Sequence, residues 1–482
     1  MPRNLVPVLC LALALGACDL APDYHPPLVD VPEAYKEVGP WQPAAPSDAV
    51  PRGDWWTRFG DPILDRLEPQ IEAANPDLAA TVARYDQARA FASEAASGLD
   101  PQASLGASLS ANRQSATRPL RGATQPNFYG ANQAAASVGY EIDFWGKIRN
   151  EAKAGSELAQ ASAADLATMR LSLQSALATD YLTLRGLDAD AKLLTDTVGA
   201  YQKALDLTQT LFHGKIVSSL DVSRAQTQLD TARAEISDVA SKRALMEHAV
   251  ATLVGQPASS FAIPAEVPSF TVPSVPASVP STLLQRRPDI AAAERTVAAA
   301  NSEIGVARAA FYPSLSLNLL AGFQSGGLNL LSLPNSFWSV GPDVSLPLLD
   351  GGKLDAEEAI AYARFREAGA NYRSTVLAAF QEVEDNLALQ HWLGQEADDE
   401  AAAVAAAQHT LDVALNLYKE GVSSYLEVVT GQTALLQAQQ ALLDLQTRRF
   451  AADVGLIRSL GGGWQETDLP TEAAASKLPA AG

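Results

Sequence analysis

Leu15-Gly16-Ala17-Cys18 is the stretch of this chain whose residue types announce a covalent reaction. An apolar run from Leu5 to Leu15 follows Arg3 and ends in small residues, the build of a signal-peptide core too short to span a bilayer as a stable helix. A thiol placed after Leu-Gly-Ala matches a bacterial lipobox, in which the signal at 1–17 is removed and Cys18 carries lipid. At about 0.8 kcal/mol per buried methylene, more than one acyl chain makes such an anchor durable. An ordinary signal cleaved after Ala17 is the plainer alternative. Asp19 bears on the destination, because in some bacteria an aspartate directly after the lipidated cysteine holds lipoproteins at the inner membrane.

Few other residues suggest reaction chemistry. His25, His213, His248, His391 and His409 fall at no metal-ligand spacing and read as surface or seam residues. With both cysteines, Cys10 and Cys18, near the N-terminus, the folded body has no disulfide or cysteine-based metal site. The chain lacks an HExxH helix, a P-loop and a GxSxG elbow, so no catalytic step, metal or cofactor is expected beyond the lipid on Cys18. A formal charge of −20 argues against nucleic acid, whose phosphates demand a basic surface. Those acids solvate the exterior, or in a sharper reading give a lumen that attracts cations.

Two acids stand at places the sequence singles out. Phe212-His213-Gly214-Lys215-Ile216-Val217-Ser218-Ser219-Leu220-Asp221-Val222 parallels Tyr418-Lys419-Glu420-Gly421-Val422-Ser423-Ser424-Tyr425-Leu426-Glu427-Val428 at equal length. Glycine permits the left-handed backbone that ends a helix, and the serines can cap the next one. Asp221 and Glu427 then fall in the first turn, where a negative charge favours the helix dipole by about 0.3 to 1 kcal/mol.

The elements that carry these turns come as a duplicated unit. Pro76-Asp77-Leu78 recurs as Pro288-Asp289-Ile290 and Pro101 as Pro313, both 212 residues on, whereas Lys147, Leu220 and Gly255 recur as Lys353, Leu426 and Gly461, 206 residues on. The offset shrinks because the first unit has the longer loop between its strands. Residues 63–256 form the first repeat and 282–463 the second, joined by a Pro-rich linker at 257–281. A lipidated N-terminal strap, 18–62, precedes them, and an Ala/Pro/Thr-rich tail at 464–482 is expected to be disordered.

Each repeat reads as a helix, two strands and a long helical hairpin. Ala103, Leu105, Ala107, Leu109 and Ala111 alternate with small polar residues, as do Ala134 to Phe144 at every second position. Leu315 to Phe323 and Trp338 to Leu348 repeat the pattern at about the 9 to 11 residues that cross a bilayer when tilted. Four strands cannot close, since membrane barrels start at about eight, and an open edge in lipid leaves backbone groups unpaired, so the barrel must be shared between chains.

Val222, Ala225, Leu229, Ala232, Ile236, Val239, Arg243, Met246, Val250 and Leu253 step by threes and fours, and the second copy reproduces the stripe from Val428 to Ser459, with Arg449 matching Arg243. Such a stripe is a coiled-coil seam. Lys147 to Phe212, if helical throughout at about 1.5 Å per residue, would reach roughly 100 Å, with Arg185-Gly186-Leu187 as a candidate kink or end-to-end stacking of two shorter helices.

Taken together, the lipobox, paired membrane strands and long hairpins resemble the outer-membrane factor family, the TolC-like channel tunnels. Four segments sharpen the resemblance to its lipoprotein branch serving resistance-nodulation-division pumps: Trp55-Trp56-x-x-Phe59-Gly60-Asp61-Pro62-x-Leu64, Tyr140 to Lys147, Arg286 to Ile290, and Ser459 to Trp464. The resemblance implies an α+β membrane protein, a homotrimer with a long coiled-coil α-helical barrel and a transmembrane antiparallel β-barrel shared between chains, four strands from each. It also implies an outer-membrane location with a periplasmic tunnel, a periplasmic adaptor and an inner-membrane pump as partners, and passive conduction without enzymatic activity. By the same resemblance, Gly214, Ser218, Gly421, Val422 and Ser423 would meet the adaptor, and a gate would involve Glu427, Tyr418, Thr430, Asp221 and Arg224. Thr430 departs from relatives that carry an aspartate there, leaving one acidic layer in place of two. The rival readings are a periplasmic adaptor lipoprotein, a bracing lipoprotein that transports nothing, and a channel for type I protein secretion.

Overall fold

The computed structural model describes residues 19–32, 34–38, 53–119, 122, 124–267 and 284–478. The signal, Cys18 and most of the Pro-rich linker lie outside the described residues.

Each repeat opens with a helix whose start is written in its first residues. Asp61 accepts from the amides of Ile63 (2.7 Å) and Leu64 (3.1 Å) to begin α1, Pro62–Ala74, and Asn75 accepts from Leu78 N (2.9 Å) to begin α2, Pro76–Ser97. Proline at the first helical position lacks an amide that would have had no partner there. The second repeat starts the same way with α5, Pro288–Ala309, after Arg287.

Strands β1 (Gln102–Ser108), β4 (Asn132–Glu141), β5 (Ser314–Ser325) and β6 (Ser336–Ser345) form one antiparallel sheet in the order β1-β4-β5-β6. In register, Leu105 lies opposite Ala136, Tyr140 opposite Leu317, and Leu315 opposite Val344. The first hairpin continues past Leu109-Ser110 as β2 (Ala111–Arg113) and β3 (Phe128–Gly130), which gives it the longer connection. β1 and β6 are free edges of the four-stranded sheet. Leu105 (84% exposed), Trp338 (74%) and Val344 (65%) leave an apolar surface that one chain does not cover.

The helices repeat in length as well as in sequence. α3 (Lys147–His213) and α6 (Lys353–Lys419) have 67 residues each, and α4 (Ser219–Leu253) and α7 (Tyr425–Ser459) have 35 each. The seam positions do the packing: Ala225, Leu229, Ala232, Val239 and Val250 are buried on α4, and Val428, Leu435, Leu445, Ala452 and Leu456 on α7. α4 packs on α3, α3 on α7 and α7 on α6, so the layer runs α4, α3, α7, α6.

Two expectations need correction. α3 is unbroken through Arg185-Gly186-Leu187, and Gly186 serves close approach instead: a Cβ there would run into the side chain of Thr447 on α7. The tail is ordered through residue 478. Its short helix α8, Glu472–Ala475, buries Ala475 against Ala92 and Ala159, while Ser156 Oγ donates to the Glu472 carbonyl (3.1 Å) and Gln160 Nε2 to that of Pro470 (2.8 Å). A small side chain and two side-chain donors supply contacts that composition does not reveal.

Candidate functional site at the hairpin tips

The two tips differ where the sequences looked alike. Gly421 takes the left-handed backbone at φ 76°, but Gly214 is right-handed at φ −72°, and the left-handed position of the first tip is Lys215 at φ 61°. Lys215 and Gly421 are 206 residues apart, so the conformation obeys the repeat while the glycine does not. The expectation that Gly214 supplies the left-handed turn is therefore corrected. A lysine there bears a steric strain that glycine escapes.

Beyond the turns the acids part ways. Asp221 Oδ2 accepts from Ser218 N (3.2 Å) and Ser218 Oγ (2.9 Å), and its Oδ1 lies 3.6 Å from Arg224. Glu427 is exposed, and its carboxylate makes no hydrogen bond or ion pair among the described residues. Thr430 Oγ1 is turned back onto the Leu426 carbonyl (2.9 Å). Thus Asp221 and Arg224 are occupied in capping the first tip helix, and Glu427 is the free charge.

Tyr418 is buried between the repeats. Its OH is 3.3 Å from Thr208 Oγ1 on α3, and its ring centroid is 5.1 Å from that of Tyr425. Burial raises the Tyr418 hydroxyl above its usual range and pushes Tyr425 up to about 12, so both stay protonated donors. Just above them a groove of about 300 Å³ runs between α3 and the second hairpin, with Tyr201, Leu207, Leu411 and Leu435 among its walls and Lys419 at its lower end. Tyr201 donates to the Gln432 carbonyl (3.2 Å) across it.

Gly214, Ser218, Gly421 and Val422 are exposed at the tips and Ser423 is half-buried. The sequence reading named Val422 (71% exposed) but missed its repeat-mate Ile216 (66%) and the pair Leu220 with Leu426, each pair 206 residues apart. The repeat offset held that signal.

Away from the tips, the seam arginine of the first repeat closes a buried network. Asp188 accepts from Arg185 NH1 (2.9 Å) and Arg243 Nε (2.6 Å), Arg185 Nε donates to Tyr181 OH (2.8 Å), and Tyr181 donates to Asp61 (2.7 Å). Arg185 and Arg243 also donate to the carbonyls of Pro264 and Ile263 at 2.7 Å each, fixing the first residues of the linker to the coil. At the membrane end, Asp19 Oδ1 accepts from Asn150 Nδ2 (2.8 Å) and Ala21 N (3.0 Å), and Arg308 donates to the Leu20 carbonyl (3.2 Å). Burial alone would raise the Asp19 carboxyl, but the bonds from Asn150 and Ala21, aided by Lys153 and Arg149, hold it below the usual range. The residue following Cys18 is thereby fixed to the start of α3.

Comparison with known proteins gives this architecture its place. The sequence model described as "Outer membrane efflux protein" matches residues 67–256 and 279–462. The chain belongs to the outer membrane efflux protein family. Among family members, the toluene efflux pump outer membrane protein TtgC of Pseudomonas putida is 31% identical, with 97% of each chain covered. The pyoverdine export outer membrane protein OpmQ of Pseudomonas aeruginosa is 32% identical over 96% of this chain and 98% of its own. The crystal structure of the outer membrane protein VceC from Vibrio cholerae superposes with a TM-score of 0.80 at 30% identity, covering 86% of this chain and all of VceC. That of the outer-membrane channel OprN gives 0.85 at 27%, covering 93% and 100%. The family's fold, a β domain set on a long helical barrel, is the one seen here. Among the described residues, no helix is long and apolar enough to cross a membrane.

Proposed function

We propose that this chain is the outer-membrane channel of a tripartite efflux system and conducts substrates passively from an inner-membrane resistance-nodulation-division pump and a periplasmic adaptor to the exterior. The observation that carries the reading is one sheet with two free edges mounted on two helical hairpins of equal length. Closure requires identical copies, and three chains of four strands bring twelve, above the minimum for a membrane barrel. The duplicated hairpins then form a tunnel descending into the periplasm, with six tips at its lower rim.

Glu427 is the gate charge in this proposal. It is exposed and unpaired at a tip, and three copies around the axis repel one another unless cations or partner charges intervene. Tyr418 tethers the second tip to Thr208 and so holds the closed arrangement. The exposed apolar pairs Ile216 with Val422 and Leu220 with Leu426, beside Gly214, Ser218, Gly421 and Ser423, form the adaptor's docking ring. Cys18 carries the lipid anchor, a role consistent with Asp19 being moored beside the membrane sheet.

An adaptor reading is disfavoured by the two pairs of strands, and no bond is made or broken in conduction, so the protein acts without enzymatic turnover. Insertion of the purified chain into a planar bilayer tests the proposal. Discrete cation-conducting steps are expected; a detergent-stable, folded protein that never conducts would refute it.

A further inference from the structure

The end of the sheet that points away from the coil carries charge of a single sign. β1 follows α2, β4 precedes α3, β5 follows α5 and β6 precedes α6, so both hairpin connections lie together at the helix-distal end. There Asn132 Nδ2 donates to the Gly327 carbonyl (2.9 Å), and a Cβ on Gly130 would run into the Gly326 carbonyl, which seats the β2–β3 ribbon against the β5–β6 connection. From residue 101 to 140 the sequence has no aspartate, glutamate, lysine or histidine, and its charges are Arg113, Arg118 and Arg121. From 309 to 342 it has no charge at all. The acids of this part of the chain, Asp100, Glu141, Asp143 and Asp343, stand at the helix-side ends of the strands.

Two of these arginines keep their charge uncancelled. Arg113 lies opposite Phe128 in the β2–β3 register, with its guanidinium 5.3 Å from the centre of the Phe128 ring. Arg118 NH1 donates to the Ser115 carbonyl and to Asn127 Oδ1, both at 3.1 Å, and its NH2 to Gln125 Oε1 (3.4 Å). Those acceptors are neutral, so they shape the loop and leave the cation in place. Neither arginine forms an ion pair among the described residues, and Arg121 lies outside them. Around them Leu109 (71% exposed), Phe128 (69%), Leu328 (93%) and Leu331 (74%) project freely. Water alone suits the guanidinium groups but not the bare leucines. A lipid surface suits both, because apolar side chains enter the acyl region while the forked donors of arginine stay at head-group level, where they match phosphate.

We infer that this end of the chain binds the phosphorylated glycolipid of the outer leaflet, with Arg113 and Arg118 on its phosphates and Phe128, Leu328 and Leu331 against its acyl chains. This rests on the proposed channel, in which the coil descends into the periplasm and the hairpin connections therefore face outward. The lipid phosphates also offset the mutual repulsion of the arginines that identical copies gather around one rim. Bound lipid thereby fixes the depth at which the sheet sits in the membrane.

The test is native mass spectrometry of the full chain in detergent with purified bis-phosphorylated lipid A, and with the same lipid stripped of its phosphates. The parent chain should retain the phosphorylated form preferentially. Arg113→Gln combined with Arg118→Gln should weaken that retention about tenfold or more, and Arg113→Lys with Arg118→Lys should restore part of it. Arg113→Gln alone leaves the hydrogen bonds of Arg118 intact and should show a smaller loss in the same direction, which separates lost binding from a disordered loop. Equal retention of lipid A by the parent and the double glutamine chain, with conduction unchanged, would overturn the inferred surface and leave the channel reading standing. Displacement of lipid A by an equal concentration of inorganic phosphate would mark a free-anion site and overturn the lipid assignment. A chain that holds lipid A through these arginines but never conducts would overturn the channel reading and leave the surface standing.

Discussion

Replacing Glu68 by glutamine should stabilise this protein, and by an amount that depends on pH. Glu68 lies on α1 with no exposure, and neither carboxylate oxygen has a hydrogen-bond partner. Its burial is complete within one chain, so subunit assembly adds nothing to it. Desolvation pushes its carboxyl from 4.5 up to about 9. Below pH 4.5 both folded and unfolded chains carry the proton, and the site is neutral to stability. As pH rises toward 9 the unfolded chain releases the proton and the folded chain keeps it, so stability falls steadily across that window. At pH 7 the difference of 2.5 pH units corresponds to about 3 kcal/mol at roughly 1.4 kcal/mol per unit. Glutamine has the same shape and never ionises, so Glu68→Gln should recover most of that amount at pH 7 and almost nothing at pH 4. The assay is denaturant unfolding in detergent, followed by helical circular dichroism from pH 4 to 9, for both chains. Glu157 and Asp453, each pushed by burial to about 7, give both proteins a residual slope, and the difference between the curves isolates Glu68. Parallel curves, or a variant less stable at pH 8 than the parent, would refute the assignment.

Lys215→Gly should stabilise the first tip by about 1 kcal/mol by relieving a left-handed lysine, read as slower amide exchange in residues 212–220. Asp188→Asn leaves Arg185 and Arg243 facing each other without their shared carboxylate and should cost about 3 to 5 kcal/mol in unfolding experiments. Glu427→Gln should change closed-state conductance and abolish cation block in single-channel records; unaltered currents would remove Glu427 from the gate. Cys18→Ser should eliminate incorporation of labelled palmitate while leaving a folded body.

Periodicity made the large elements legible. Leu229 and Leu435 could be placed in the seams because a spacing of three and four leaves few other solutions, and the strands followed from alternation around Leu105 and Leu317. Conformation at single residues was harder to see. Nothing about a lysine announces the left-handed backbone of Lys215; only its position 206 residues before Gly421 does. The role of Gly186 depends on Thr447, which is far away in sequence, so local reading mistook close approach for a kink. Arg243 stands out as a charge in an apolar stripe, but naming Asp188 as its partner required knowing which turn of α3 lies beside it. Asp221 and Glu427 looked equivalent in sequence and differ because Ser218 and Arg224 engage only the first.

The matched lengths of α3 with α6 and of α4 with α7 constrain how this protein can change over evolutionary time. One residue inserted into a single long helix would turn everything below it by about 100° and drop that tip about 1.5 Å past its mate, spoiling both seam and rim. Seven residues added to all four helices at one level would return every side chain to its face and lengthen the conduit by about 10 Å. Depth can therefore be tuned only in coordinated heptad steps, and a homologue built for a thicker or thinner envelope should differ from this one by whole heptads placed symmetrically in both halves.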